Sequence, residues 1–288
     1  MFIIAILPLN SSLNNNFLNF CSYYCIINFM QIGKNNKLVK LVKSLQLKKY
    51  RDKTNLFFFE GPHLIEEAIK HNYPIEFVMF SKKIQPEFIS KISERSIPSY
   101  LIAENVMNYI SSTENNQGII AVAKQEKRSI NDIAINNDSV FVICDGIQDP
   151  GNLGSIVRIC AAVGVDGVFV SDDCVDIYNP KTIRATSGAF FMEPTIVCED
   201  LVFVIEKLKN SGIKVYCSDS IGGQNLFSVW LKGGFAIVIG SEGKGVSTKI
   251  KNACQNTITI PINQNVESLN AAISCAVILF EHFRQRTQ

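Results

Sequence analysis

Three stretches of this chain hold residue types that could do chemistry together. The first is DPGNLGSIVRICAAVG, beginning at Asp149, in which Arg158 follows Asn152 and has Gly154, Ser155, Ala161 and Ala162 about one helical turn away or closer. Small neighbours let another backbone or a ligand approach the guanidinium, and the same spacing also suits a plain solvated arginine. The second is Gly240-Ser241-Glu242-Gly243-Lys244-Gly245, where three glycines in six residues let the backbone turn sharply and present its amides to a ligand. The third runs from Thr257 to Phe283 and sets a strand, a polar loop and a helix start close together, the kind of junction at which α/β proteins hold ligands. Some chemistries are excluded. Gly245 is followed by Val246 rather than Lys-Ser/Thr, and no Gly-x-Gly-x-x-Gly follows a strand, which argues against a nucleoside-triphosphate or nicotinamide enzyme. The only histidines are His63, His71 and His282, and the nine cysteines include no Cys-x-x-Cys pair, so neither a metal site, a histidine-based catalyst nor a disulfide framework is indicated.

These stretches need elements to position them. Residues 140–144 are a continuous apolar run suited to a central parallel strand. After it, residues 149–152 read as a turn with Asn152 as N-cap, and the helix beyond puts Ile156, Ile159, Cys160 and Val163 inward. Residues 167–170 form the next strand, and 178–189 a loop into a short helix on which Lys181 and Arg184 share a face. That spacing suits phosphate contacts and equally suits simple solvation. A helix near 201–210 and strands at 214–217 and 235–239 lead into the glycine loop. In the third stretch, 257–260 reads as a short buried strand ended by Pro261, and Ser268 as the N-cap of the last helix. Leu269, Ala272, Ile273, Ala276, Val277, Phe280 and Phe283 form one apolar face there.

Upstream, the alternation of strands and helices from residue 31 to 124 describes a separate, smaller α/β unit with nothing catalytic in it, and the polar stretch 125–138 reads as a linker. The length of 288 residues suits two domains, with the second at 139–288. Net charge is only +2, but it is unevenly placed: no acidic residue precedes Asp52, whereas Lys34, Lys37, Lys40, Lys43, Lys48, Lys49 and Arg51 do. A local positive field of this kind suits an anionic partner, and an exposed lysine-rich helix is also ordinary solvation. Residues 1–30 are apolar and Asn-rich without Lys or Arg, unlike a signal or transit peptide, and 2–9 is too short to span a bilayer. A start misassigned upstream of Met30, with this tail disordered, is the expectation, and a hidden membrane anchor is the alternative.

Taken together, Asn152 with Gly154 and Arg158, then Ile239-Gly240-Ser241-Glu242-Gly243, then Ile260-Pro261 and Glu267-Ser268-Leu269-Asn270-Ala271 resemble the SpoU (TrmH-like) RNA ribose 2′-O-methyltransferases of the SPOUT superfamily. The likeness covers roughly the last half of the chain. The first unit, through residues 34–51, Phe59-Glu60-Gly61 and Gln117-Gly118, is similar to that family's L30-like substrate-binding domain. The resemblance implies a parallel α/β sheet with a trefoil knot and S-adenosylmethionine as cofactor, with no metal. It implies cofactor contacts from Ile239, Gly240, Ile260, Ser268 and Leu269. It also implies Arg158 as the residue acting on the 2′-hydroxyl, with Asn152, Glu242, Ser268 and Asn270 in support. An arginine is effectively always protonated, so acting as a base needs unusual help: Arg158 either receives the proton with assistance from a substrate phosphate or stabilises the developing alkoxide electrostatically. RNA is the expected partner, ribosomal in preference to transfer RNA, gripped through Lys37, Lys40, Arg51, Lys181 and Arg184. A cytoplasmic homodimer without membrane association is expected. The alternatives are a non-catalytic RNA-binding or ribosome-assembly protein of the same fold, and a base methyltransferase.

Overall fold

Three consecutive phenylalanines, Phe57, Phe58 and Phe59, can all leave water only in a strand covered on both faces, and they are at most 1% exposed in the first of two units. The computed structural model describes residues 32–192, 194–254 and 256–287, with the boundary between units after Gln125. The expectation for residues 1–30 lies outside the described residues. The first unit runs α1 (Lys37–Ser44), α2 (Lys48–Thr54), β1 (Leu56–Glu60), α3 (Pro62–Lys70), β2 (Ile75–Phe80), α4 (Pro86–Glu94), β3 (Ser99–Leu101), α5 (Glu104–Ile110) and β4 (Ile119–Lys124). Its sheet has the order β1-β4-β2-β3, with β4 antiparallel to both neighbours and β3 parallel to β2. Helix α5 has no counterpart in the sequence reading, yet Val106, Met107 and Ile110 bury it against the same core as Phe58 and Val122.

Asn36 caps α1, its side-chain oxygen accepting from the Leu38 N–H at 2.8 Å, and Val39, Val42 and Leu45 enter the core while Lys37 and Lys40 stay exposed. Arg51 departs from expectation. It is 2% exposed, and its guanidinium donates to the carbonyls of Leu45 at 2.7 Å and Gln46 at 3.0 Å. A helix end leaves carbonyls without partners, and here the arginine supplies donors, so it is an internal strut and not an RNA contact. Arg51→Ala is therefore expected to lower the unfolding free energy by about 2–3 kcal/mol, because buried carbonyls lose charged donors. Lys40→Ala should change it by less than about 0.5 kcal/mol. Urea denaturation of the two variants checks this.

The second unit runs β5 (Val140–Asp145), α6 (Pro150–Val163), β6 (Gly167–Ser171), α7 (Pro180–Ala185), β7 (Thr195–Cys198), α8 (Leu201–Asn210), β8 (Lys214–Ser218), β9 (Gln224–Asn225), β10 (Phe235–Gly240), α9 (Thr248–Ala253), β11 (Asn256–Thr259) and α10 (Ala271–Thr287). Seven strands form one sheet in the order β7-β6-β5-β10-β8-β11-β9, and every pairing is parallel. From β5 the chain steps outward through β6 to β7, then crosses back to build the other half, so the order reverses between β5 and β10. Crevices at such reversals, outside the strands' carboxyl ends, are where open parallel sheets hold ligands. Residues 126–138 are not a free linker: Ile130 is buried beside Phe141 and Phe169, and Ile133 and Ile135 pack on the same core.

Both helix starts near the candidate residues differ from expectation. Asp149, not Asn152, caps α6, accepting from the Asn152 N–H at 2.9 Å, because Pro150 takes the first helical position, where a missing N–H costs nothing. Asn270, not Ser268, caps α10, accepting from Ala272 at 3.0 Å and Ile273 at 3.2 Å, which leaves Ser268 and Leu269 in the loop. The apolar face expected on α10 shares only Ala272 with the residues buried there. Ala272, Cys275, Ile278, Leu279 and His282 are buried, and the helix packs on α6 and β10, whereas Ile273, Phe280 and Phe283 are 53%, 51% and 44% exposed. The helix is apolar on two sides, and spacing alone does not say which faces the core.

At the end of α10, Glu281 is buried and held by Arg284 through two hydrogen bonds of 2.8 Å and by Gln285 through a third. Arg284 above all pulls the Glu281 carboxyl from 4.5 down to about 2. A depressed carboxylate contributes stability that is fully present above its ordinary pKa and is lost as pH falls toward the folded value. The second unit is thus expected to lose stability between about pH 4.5 and 2, and Glu281→Gln should flatten that part of the profile, measured as the urea midpoint against pH.

Candidate functional site

The carboxyl ends of β5 and β10 lie side by side, with Asp145 opposite Gly240. Beyond Gly240 the glycine stretch folds back on itself: the Gly245 N–H donates to the Ser241 carbonyl at 2.8 Å, with Gly245 at φ +66°. The far end of this turn is fixed from β5, since the Asp145 carboxylate accepts from the Ser247 N–H at 2.7 Å.

The three sequence stretches meet here through side chains. The Asn270 amide donates to the Asn152 side-chain oxygen at 2.9 Å, and the Asn152 amide donates to the Glu242 carboxylate. One polar relay thus joins the first turn of α6, the glycine turn and the cap of α10, across sequence separations of 118 and 90 residues.

Beside the relay lies a cavity of about 340 Å³, within the range of small-molecule sites. Its lining includes Ile239, Gly240, Glu242, Ile260, Ser268 and Leu269, all expected site residues. Also in the lining are Asp219 and Lys251, an ion pair at 2.5 Å that the sequence reading missed. The one signal for Asp219, and for Asp145, is an acid closing or directly following an apolar strand.

Arg158 is not among the lining residues. It is exposed on α6, six residues and so about 9 Å along the axis from Asn152, and it has no hydrogen-bond or ion-pair partner among the described residues. The close approach expected around it occurs at Gly154: a β-carbon there would lie 2.5 Å from the Ala185 methyl and 2.6 Å from the Thr182 carbonyl. Helices α6 and α7 therefore cross in contact, which leaves Arg158 one turn beyond the crossing and Lys181 and Arg184 exposed on α7.

Residues 139–280 match the SpoU rRNA Methylase family model, and residues 36–121 match an MRM3-like substrate binding domain. The chain is 31% identical over 255 residues to the Bacillus subtilis 23S rRNA (guanosine(2553)-2′-O)-methyltransferase RlmP, an alignment covering 88% of this chain and 98% of that protein. This chain belongs to the SpoU rRNA methylase family. The structure of an AdoMet-bound rRNA methyltransferase from Sinorhizobium meliloti aligns with this chain at a TM-score of 0.80 and 25% identity, over 88% of this chain and 97% of that one. An RNA 2′-O ribose methyltransferase structure aligns at a TM-score of 0.76 and 27% identity, over 90% of this chain and all of the other.

The cavity fits S-adenosylmethionine by the chemistry of its walls. Ile260, Ile262 and Leu269 offer an apolar bed for a flat base, and Ser218, Ser220, Ser268 and Ser274 offer hydroxyls for the sugar and amino-acid portions. Asp219, Glu242 and Glu267 supply negative charge against two lysines, Lys244 and Lys251, which suits a ligand bearing a cationic centre.

Proposed function

We propose that this protein transfers a methyl group from S-adenosylmethionine to a ribose 2′-hydroxyl of RNA, ribosomal RNA in particular. The observation that supports it most is the Asn270–Asn152–Glu242 relay beside the cavity, because it draws the three SpoU motif segments into one site. The relative from Bacillus subtilis favours ribosomal over transfer RNA.

When bound, S-adenosylmethionine supplies an already activated methyl group, so the protein's tasks are alignment and the management of one proton. Ile239, Gly240, Ile260, Ser268 and Leu269 hold the cofactor in this reading. Asn152, with both ends of its amide engaged, fixes the glycine turn against the cap of α10, and Glu242 presents its carboxylate at the cavity wall. Arg158 acts on the incoming ribose, stabilising the alkoxide as the proton leaves, or receiving that proton after handing one of its own to a substrate phosphate. Lys181 and Arg184 on α7 and Lys37 and Lys40 on α1 contact phosphates. These contacts position the RNA, and the flexible nucleotide is read at the site itself.

The same proposal includes a threaded, knotted third stretch, supported by the return of α10 onto α6 and β10. It includes a homodimer closed over the exposed Ile273, Phe280 and Phe283, and a cytoplasmic location where ribosomal RNA is processed. No helix among the described residues is long and apolar enough to cross a membrane.

The test is methyl transfer from labelled S-adenosylmethionine to ribosomal RNA taken from cells lacking the gene, with transfer RNA as a parallel arm. A 2′-O-methyl blocks alkaline cleavage at the following phosphate, so the expected product is a labelled, alkali-resistant dinucleotide. Label on a base, with cleavage unchanged, overturns the proposal.

A further inference from the structure

The ion pair that closes one side of the cavity has no part in the relay, and its position suggests what it recognises. Across the sheet the order is β5, β10, β8, β11. The Asn152–Glu242 link therefore marks the β5–β10 side, while Asp219 follows directly on β8, one strand further over. Its N–H donates to the Ile258 carbonyl at 3.0 Å, which ties it to β11. The apolar bed comes from the loop directly beyond β11, through Ile260 and Ile262. Asp219 thus stands between the glycine turn that follows β10 and the bed beyond β11, and its backbone is tied to the β11 side.

In a nucleoside the sugar is bonded directly to the base, so a group bordering the base's bed meets the ribose. In dinucleotide-binding parallel sheets an acidic side chain accepts from the ribose hydroxyl in the same way. We propose that Asp219, buttressed by Lys251, receives the ribose hydroxyls of the cofactor's adenosine and so selects ribonucleoside over deoxyribonucleoside ligands. This rests on the reading of the cavity as the S-adenosylmethionine site.

The charge state suits the role. Burial works to raise the Asp219 carboxyl, but the hydrogen bond and charge of Lys251, with the N–H groups of Ile221 and Ser220, hold it below the ordinary value. Lys251 reaches it from α9 at 2.5 Å, so the carboxylate is oriented before ligand arrives. Hydroxyl hydrogen bonds to an anion are shorter and stronger than those between neutral groups, and losing them weakens binding by about tenfold or more.

The test is calorimetric titration with S-adenosylhomocysteine, 5′-methylthioadenosine, which lacks the amino-acid portion, and 5′-methylthio-2′,3′-dideoxyadenosine. Wild type is expected to bind both ribonucleosides about tenfold or more tighter than the dideoxy compound. Asp219→Asn, an isosteric change, should weaken both ribonucleosides by about that factor and leave the dideoxy compound unchanged. Lys251→Met, which keeps the carboxylate but frees it, should reduce the same preference by a smaller factor. A preference unchanged in both variants overturns the inference, and so does a loss confined to S-adenosylhomocysteine, which would assign Asp219 to the amino-acid end. If wild type binds none of the three, the cofactor reading fails, and this inference with it.

Discussion

Arg158→Ala is expected to reduce methyl transfer by about a hundredfold to a thousandfold while leaving S-adenosylhomocysteine affinity within about twofold of wild type. The separation of the two effects follows from where the side chain is. Arg158 stands outside the cavity lining and makes no hydrogen bond or ion pair among the described residues, so cofactor binding and folding have nothing to lose with it. Its stability should shift by less than about 0.5 kcal/mol, as for an ordinary surface substitution. A guanidinium without an internal partner, on the same helix as the buttressed Asn152, is available to the substrate.

Arg158→Lys separates the two roles left open for this residue. A lysine keeps the positive charge but presents it as a point and not as a planar fork, so partial activity is expected if the charge stabilises a developing alkoxide. Single-turnover rates with labelled cofactor and saturating RNA measure both variants. A rate for the alanine variant close to wild type would remove Arg158 from the chemistry altogether.

How much of this was legible in the sequence differs from residue to residue. The central strands were plain, because residues 140–144 and 235–239 are apolar without interruption and only a sheet covered on both faces buries them all. The helix caps were not. Asp149 and Asn152 are both good caps three residues apart, as are Ser268 and Asn270 two apart, and the winner in the first case was set by Pro150. The apolar side of α10 seen in the sequence is its exposed one, because Phe280 and Phe283 repeat at helical spacing just as Ile278 and Leu279 do on the side that is buried. Arg51 was read with its lysine neighbours, and only the fold shows that it points inward at the end of α1. The members of the candidate site could be named because their types and order match a family pattern. Their joining through Asn152 could not, since it spans residues far apart in the chain and depends on which loops the sheet order brings together. Asp219 and Lys251 escaped for the same reason: they lie 32 positions apart and meet only once β8 and α9 are in place.

Gly240→Ala is expected to abolish measurable binding of S-adenosylhomocysteine, a loss of at least about a hundredfold, while the fold itself survives with a cost of about 1–3 kcal/mol. The reason is local and steric. A β-carbon at Gly240 would lie 2.1 Å from the Gly245 carbonyl carbon and from the Val246 nitrogen, and 2.4 Å from the Gly245 oxygen. All three are backbone atoms, so no side-chain rotation relieves the clash, and the returning limb of the turn must move. That limb cannot move alone. It is held by the Gly245–Ser241 hydrogen bond at one point and by Asp145 through Ser247 at another, and the same turn carries Glu242 into the relay with Asn152. Displacing it therefore opens the cavity wall and breaks the link between the three stretches together. Gly243→Ala is the matched control: a β-carbon there meets nothing within 4 Å, so that variant should bind within about threefold of wild type. Calorimetry on the pair, with urea denaturation to confirm folding, tests the prediction, and a Gly240→Ala protein that binds like its Gly243 counterpart would show that the turn is not a wall of the cofactor site.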